Sequence, residues 1–336
     1  MWKITNEKNK EYLIKFRVKL INPLMKSILY YKLKESNYST YNAYLESKSK
    51  FLENNSDILK LVVSKKVDGI KISDCIEALI KKDISYIFNQ YKIYILQTKF
   101  LDDFNYNINQ ESIDEHFTII FKNFLYTKFF TYEDIWCAID SSFSDYNRKI
   151  FHNNFREEND MAVCPYCDAA IISDGNLNIE HFLPKDKYPF LSMHPNNLIS
   201  ACYGCNMSEG KSTNYFIPIT SPYICQVGDK IIFELDKHNK KVIISNNGNK
   251  EIKNYIKLIK LDKRYESLTI YNIVSSKGNQ IFRNLWKSEN VYHEKIDKIL
   301  FEEYLMYKKE PLTFAAKSLF KDLSLYEDYK KATYGK

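Results

Sequence analysis

Over residues 1 to 160 the apolar positions recur at the three- and four-residue spacing of helices. Tyr12, Phe16 and Leu20 open on it and then meet Pro23, which predicts a bend or an end there. A second helix is predicted from Ile84 to Phe100, with Ile84, Ile87, Phe88, Tyr91, Ile95 and Leu96 on one side. A third begins at Ser112, three residues before Glu115, and runs through Phe117, Ile120, Phe121 and Phe124. A fourth starts at Thr131 and a fifth covers Ser144 to Arg156. The aromatic stripes on these helices read as core rather than as platforms for bases. From Met161 to Pro222 the texture is that of loops, with Pro165, Asp174-Gly175, Pro184, Pro189, Pro195, Gly204 and Gly210 at short intervals. Two alternating runs, Lys230–Leu235 and Lys240–Ser245, predict a β-hairpin. Helices resume near Asn249 and continue to Lys331. The expected fold is α+β: a helical region over 1–160, a compact motif-bearing core over 161–222, and a hairpin with further helices over 223–336.

Composition narrows this picture. With 27 Tyr and 21 Phe in 336 residues, the chain can fill a core and is not disordered as a whole. No apolar run approaches the roughly 20 residues of a membrane span. The opening MWKITNEKNKEYLIKF has no apolar stretch or small-residue cleavage site, so a cytoplasmic location is expected. A formal charge of +7 suits a nucleic-acid partner without requiring one. The aromatic helices also offer a face for a homo-oligomer.

Seven cysteines are present, and four form two C-x-x-C pairs, Cys164 with Cys167 and Cys202 with Cys205, separated by 34 residues. In a reducing compartment such pairs point to metal rather than to disulfides. Four thiolates close a tetrahedral site suited to Zn²⁺, and because no position is left open the zinc is structural. The remaining Cys75, Cys137 and Cys225 read as buried thiols. Between the knuckles, residues 178–182 look like a short strand carrying Glu180 and His181. A carboxylate is a hard ligand for Mg²⁺ or Mn²⁺, and an imidazole is a competent base toward water. Asn206 follows the second knuckle, expected at the start of a helix, and its amide oxygen is a second hard ligand.

The order CPYC, IEHFLPK, NNL and C-x-x-C-N-x-x-x-G-K over residues 161–215 resembles the HNH endonuclease family, whose active site is a ββα-metal unit. The resemblance implies that His181 is the general base, that Glu180 and Asn206 hold the catalytic Mg²⁺ or Mn²⁺, and that Asn197 shapes the loop presenting His181. Many members carry Asp where Glu180 stands, and Asn206 takes the place of the final His. The implied reaction is metal-assisted hydrolysis of a phosphodiester in double-stranded DNA, leaving a 5′-phosphate. Lys185 and Lys211 are candidate phosphate contacts, and Arg148 and Arg156 are candidates to line a DNA channel. The same texture is similar to nuclease subunits of bacterial antiphage systems of the Septu and retron-associated types, which implies an ATPase partner. Two other readings stay open: a non-catalytic zinc-stabilised nucleic-acid-binding or adaptor module, and an RNA-cleaving enzyme using the same residues. A pure binding module has no use for a carboxylate facing phosphate. His194 is expected to pack or cap the loop, and His116, His152, His238 and His293 to be ordinary surface or core residues.

Overall fold

The structure is a computed structural model, and it describes residues 1–47, 55–173, 175–207, 211, 215–289, 308–320 and 331–333. His293 and much of the helical stretch expected up to Lys331 lie outside the described residues. Most of the described chain is helical, with three two-stranded sheets, in keeping with an α+β class. No described helix is long and apolar enough to cross a membrane.

Two compact units emerge, both discontinuous in sequence. The helical unit comprises residues 6–158 and 179–199, and the cysteine unit comprises 1–5, 159–178 and 200–336.

The helical unit opens with α1 (Glu7–Phe16), which runs on through a π-wound stretch (Arg17–Ile21) into α2 (Asn22–Leu33). Pro23 therefore neither ends the helix nor follows an ordinary turn. It follows directly on the π-wound stretch, whose altered hydrogen-bond register accommodates it within a continuous helix. Next come α3 (Tyr41–Glu46), α4 (Ser56–Val63), a small hairpin of β1 (Lys66–Val67) and β2 (Ile70–Lys71), α5 (Ile72–Ile80) and α6 (Ile84–Asp102).

The face α6 buries differs from the expected one. Ile87, Gln90, Tyr94, Gln97 and Leu101 turn inward, while Ile84, Phe88, Ile95 and Leu96 stand exposed. Polar groups decide this. Gln90 donates to the Ser112 carbonyl at 3.0 Å and accepts from the Asp114 N–H at 3.0 Å, so the inner face carries hydrogen bonds that an apolar stripe cannot make. Tyr94 packs edge-on against Phe190.

The third helix, α7 (Glu115–Thr118, π-wound on to Lys128), starts later than its sequence suggested. Asp114, not Ser112, is the cap, accepting the His116 N–H at 2.9 Å. The helices α8 (Glu133–Ile139) and α9 (Arg148–Asn159) also begin two and four residues beyond the expected points. Asn147 accepts the Ile150 N–H at 3.1 Å and marks the start of α9. The core of the unit gathers Leu13, Phe16, Leu24, Phe121, Phe124 and Trp136 with Ile179, Phe190 and Leu198.

Strands β3 (Leu177–His181) and β4 (Leu198–Cys202) pair with each other. Residues 179–181 and 198–199 belong to the helical unit and the rest of each strand to the cysteine unit. The cysteine unit continues with a one-turn helix α10 (Tyr203–Asn206) and the expected hairpin, β5 (Ile232–Asp236) against β6 (Lys241–Ser245), in a register that sets Ile232 opposite Ser245 and Asp236 opposite Lys241. Then follow α11 (Lys250–Leu258), capped by Asn249, α12 (Leu261–Tyr265), α13 (Leu268–Glu289) and α14 (Thr313–Phe320). The core of this unit includes Trp2, Phe233, Tyr255, Tyr265 and Phe314. Gly228 is required here, since a Cβ at that position would stand 2.5 Å from the Phe314 ring. Asp168 is buried at the centre, where it accepts from Trp2 Nε1 at 2.7 Å and from the Phe314 N–H at 3.0 Å.

Candidate functional site

The cysteine unit brings the two C-x-x-C pairs together. All four thiols are buried, and their Sγ atoms lie within 4.8 Å of one another. Cys164 to Cys205 and Cys167 to Cys202 are each 3.9 Å apart, far beyond a disulfide bond of about 2.05 Å. A tetrahedron with metal–sulfur bonds of about 2.3 Å has edges of about 3.8 Å, so the spacing fits an ion such as zinc. Electrostatics point the same way. The neighbouring cysteines push the Cys205 thiol well above its ordinary value. A dication removes that penalty, because it allows adjacent thiolates to coexist.

Local geometry sets each ligand. The first knuckle turns through a left-handed Asp168, whose N–H bonds the Cys164 carbonyl at 2.9 Å. Backbone N–H groups of Ala169 and Cys202 donate to Cys167 Sγ and Cys164 Sγ at 3.5 and 3.4 Å. Tyr265 and Tyr255 donate their hydroxyls to the carbonyls of Cys167 and Tyr166.

Arg264, which no local motif marks, places Nη1 3.6 Å from both Cys167 Sγ and Cys202 Sγ. Burial works against its charge, but the cysteines hold its pKa above the ordinary range. The same contact explains Gly204. It lies inside α10 rather than in a turn, and a Cβ there would sit 3.0 Å from the guanidinium. Arg264 thus orients and partly neutralises the thiolates, and Arg264→Ala is expected to weaken metal binding by about 10- to 100-fold. Chelator competition against wild type measures this, and an unchanged affinity would refute the role.

In the helical unit, β3 carries Glu180 and His181 in succession, both buried. His181 Nε2 lies 2.9 Å from the Ser192 carbonyl oxygen. A carbonyl only accepts, so Nε2 carries a proton, and in the neutral ring the lone pair is on Nδ1. Ser192 is itself tied by its hydroxyl to the Phe121 carbonyl at 2.8 Å. The Tyr126 ring meets the imidazole edge-on with centroids 4.2 Å apart, and its hydroxyl donates to the Ile179 carbonyl at 2.7 Å. Tyr126 and Ser192 escaped the sequence reading because their roles come from packing that no local motif encodes.

Asn197 is fully buried. It accepts the Leu183 N–H at 2.7 Å and donates to the carbonyls of Leu183 and Leu191 at 3.2 and 3.0 Å. These bonds close the loop that follows His181. Two cations border the same ring: Lys185 Nζ is 4.4 Å and Arg148 5.4 Å from the Tyr126 centroid. Burial lowers the Lys185 pKa, with Asp186 and Glu180 opposing the shift. Glu180, His181, Lys185 and Arg148 therefore gather around Tyr126.

Asn206 is exposed at the end of α10, not at a helix start, and belongs to the cysteine unit. Lys211 is buried, with its N–H on the Met207 carbonyl at 2.9 Å. Arg156 is half-buried on α9 and donates to Asn153 Oδ1. Of the three thiols read as buried, Cys75 is so, Cys225 is half-buried, and Cys137 is exposed on the outer face of α8, opposite Ile135, Trp136 and Ile139. His116 is half-buried beside its cap Asp114, His152 is half-buried against Phe151, and His238 is exposed.

His194 caps the loop as expected, its Nδ1 accepting the Asn196 N–H at 3.2 Å. The ring proton is then on Nε2, 3.0 Å from Asp102 Oδ1, which also accepts from Arg17 at 2.9 Å. Burial lowers the His194 pKa from 6.5. The unfolded chain thus takes up a proton that the folded chain resists, so stability falls as pH drops below about 6.5. For Asp102, burial raises the pKa, but His194 and Arg17 outweigh it and bring it to about 2. Its contribution is present above an unfolded value of 3.8 and is lost toward pH 2. A melting-temperature series should therefore show two acid limbs. His194→Gln should flatten the first limb and shrink the second, because Asp102 then keeps Arg17 but loses the imidazolium, and an unaltered first limb would exclude His194 as its source.

Comparison with known proteins gives two partial similarities. The chain is 36% identical over 62 residues to Septu protein PtuB of Bacillus thuringiensis, covering 18% of this chain and 24% of that protein. It is 38% identical over 72 residues to protein ea31 of Escherichia phage lambda, with 18% and 24% covered. The chain thus spans about a quarter of the length of the curated relatives it matches. No family model and no solved structure matches it.

Proposed function

We propose that the chain is a metal-dependent endonuclease of the HNH type, hydrolysing phosphodiester bonds in double-stranded DNA. The observation that carries this reading is the imidazole of His181, locked by the Ser192 carbonyl into the tautomer with a basic Nδ1, beside a buried carboxylate and two cations. His181 takes the proton of the attacking water. Lys185 and Arg148 hold phosphate oxygens, and Asn197 acts as a positioning residue that fixes the loop after the base. Glu180 is an oxygen ligand for Mg²⁺ or Mn²⁺. Asn206 enters as the second ligand on the strength of the motif alone, as do Lys211 and Arg156 as DNA contacts. When bound, the divalent ion supplies positive charge to the phosphate. The four-cysteine zinc is structural and takes no part in the chemistry.

The partial similarity to Septu protein PtuB supports a place in antiphage defence, in the cytoplasm and with a partner protein, for which an ATPase is our reading. The test is incubation of supercoiled plasmid with the purified chain and Mg²⁺ or Mn²⁺, beside His181→Ala and a single-stranded RNA substrate. Nicking that needs the divalent ion and is lost in the variant at unchanged zinc content supports the reading. Cleavage confined to RNA replaces the substrate, and full-rate DNA cleavage by the chain alone removes the need for a partner. Absence of cleavage even with the ATPase added leaves a binding module.

A further inference from the structure

The β1–β2 hairpin turns on Asp68 and Gly69, both left-handed, with φ of 50° and 83°. A two-residue turn of this kind fixes the register. It sets Val67 opposite Ile70 and Lys66 directly opposite Lys71. Residues paired across an antiparallel ladder project on the same face, and like charges placed so repel. Both lysines line a cavity of about 430 Å³ in the helical unit, together with Lys60 from α4. Among the described residues Glu46 is its only acidic lining residue. Among the described residues none of the three lysines has an ion-pair partner, whereas their chain neighbour Lys65 pairs with Asp134. Among the described residues the lining includes no aromatic side chain on which a base or other ring would stack. Such a cleft selects negative charge and ignores the rest of the molecule.

We propose that this cleft is a phosphate-binding site, distinct in its residues from the His181 neighbourhood, whose ligand is a run of phosphates. The source is either a free polyphosphate, as in a nucleotide, or the phosphodiester backbone of a nucleic acid. Bound phosphate relieves the repulsion between Lys66 and Lys71, so the hairpin holds in register two charges that are costly without the ligand. The site does not rest on the nuclease reading, because binding is measured without cleavage.

The test uses the full chain in buffer without added divalent ions. Wild type is compared with the double variant Lys66→Gln/Lys71→Gln and with Lys60→Gln. Inorganic pyrophosphate is titrated by calorimetry, and a labelled 20-base-pair duplex by anisotropy across a salt series. Pyrophosphate affinity falling about tenfold or more in the double variant, and less in Lys60→Gln, is expected for either source. If the backbone is the ligand, the slope of log affinity against log salt also shrinks by about 1.8, since each phosphate contact contributes about 0.9. An unchanged slope with lost pyrophosphate binding assigns the site to free polyphosphate. The double variant should also melt higher than wild type without ligand, as repulsion is removed. Pyrophosphate affinity and duplex slope both unchanged in a folded double variant overturn the proposal, as does failure of the wild type to bind either probe.

Discussion

Cys202→Ser is expected to empty the four-cysteine site and to unfold much of the cysteine unit, with metal content falling from one ion per chain to none. Serine keeps the size of the side chain but offers no thiolate at neutral pH, so the tetrahedron loses one corner. The remaining thiolates would then lie around the half-buried Arg264 guanidinium without the dication that lets them ionise together. Metal binding at such sites is folding free energy, about 10–16 kcal/mol in isolated zinc fingers. This unit also owns an apolar core of Trp2, Tyr255, Tyr265 and Phe314, so the loss should be smaller, several kcal/mol. A loss of that size lowers the melting temperature by roughly 10 °C or more. Elemental analysis and calorimetry measure both effects. Cys137→Ser, on the exposed face of α8, is the matched control and should change neither. Equal melting temperatures and no bound metal in wild type and Cys202→Ser would reduce the cluster to four buried thiols.

That site was legible in the sequence because its ligands come in two local pairs whose chemistry admits few alternatives. The hairpin at 232–245 and the Asn249 cap were legible for a similar reason: alternation and a capping side chain act over a few residues. The inner face of α6 was not. Counting apolar spacing selects Phe88 and Ile95, but Gln90 is fixed by hydrogen bonds to a loop more than twenty residues away, and those bonds turn the helix. Arg264 and Tyr126 show the same limit at the candidate sites. Each acts on a residue 62 or more, or 53, positions distant in sequence, through contacts made only after folding. Asn197 lies between these cases: its type and place were visible, but its three bonds to the loop after His181 were not.

His181→Ala is expected to lower cleavage by about 10²- to 10⁴-fold, the range for removal of a general base. The substitution also strands the Ser192 carbonyl and opens a small void, at a cost of about 1–3 kcal/mol. Activity must therefore be compared at a temperature where both proteins are folded and carry equal zinc. Tyr126→Phe separates position from chemistry. It removes the hydroxyl on the Ile179 carbonyl but keeps the ring against the imidazole, so the base survives with a looser support and the rate should drop far less. Lys185→Ala should weaken DNA binding, and its effect should shrink at high DNA concentration, whereas that of His181→Ala should not. A His181→Ala protein that cleaves at the wild-type rate would make the buried imidazole a core residue, held by Ser192 and Tyr126 for packing alone, and the proton would need another acceptor.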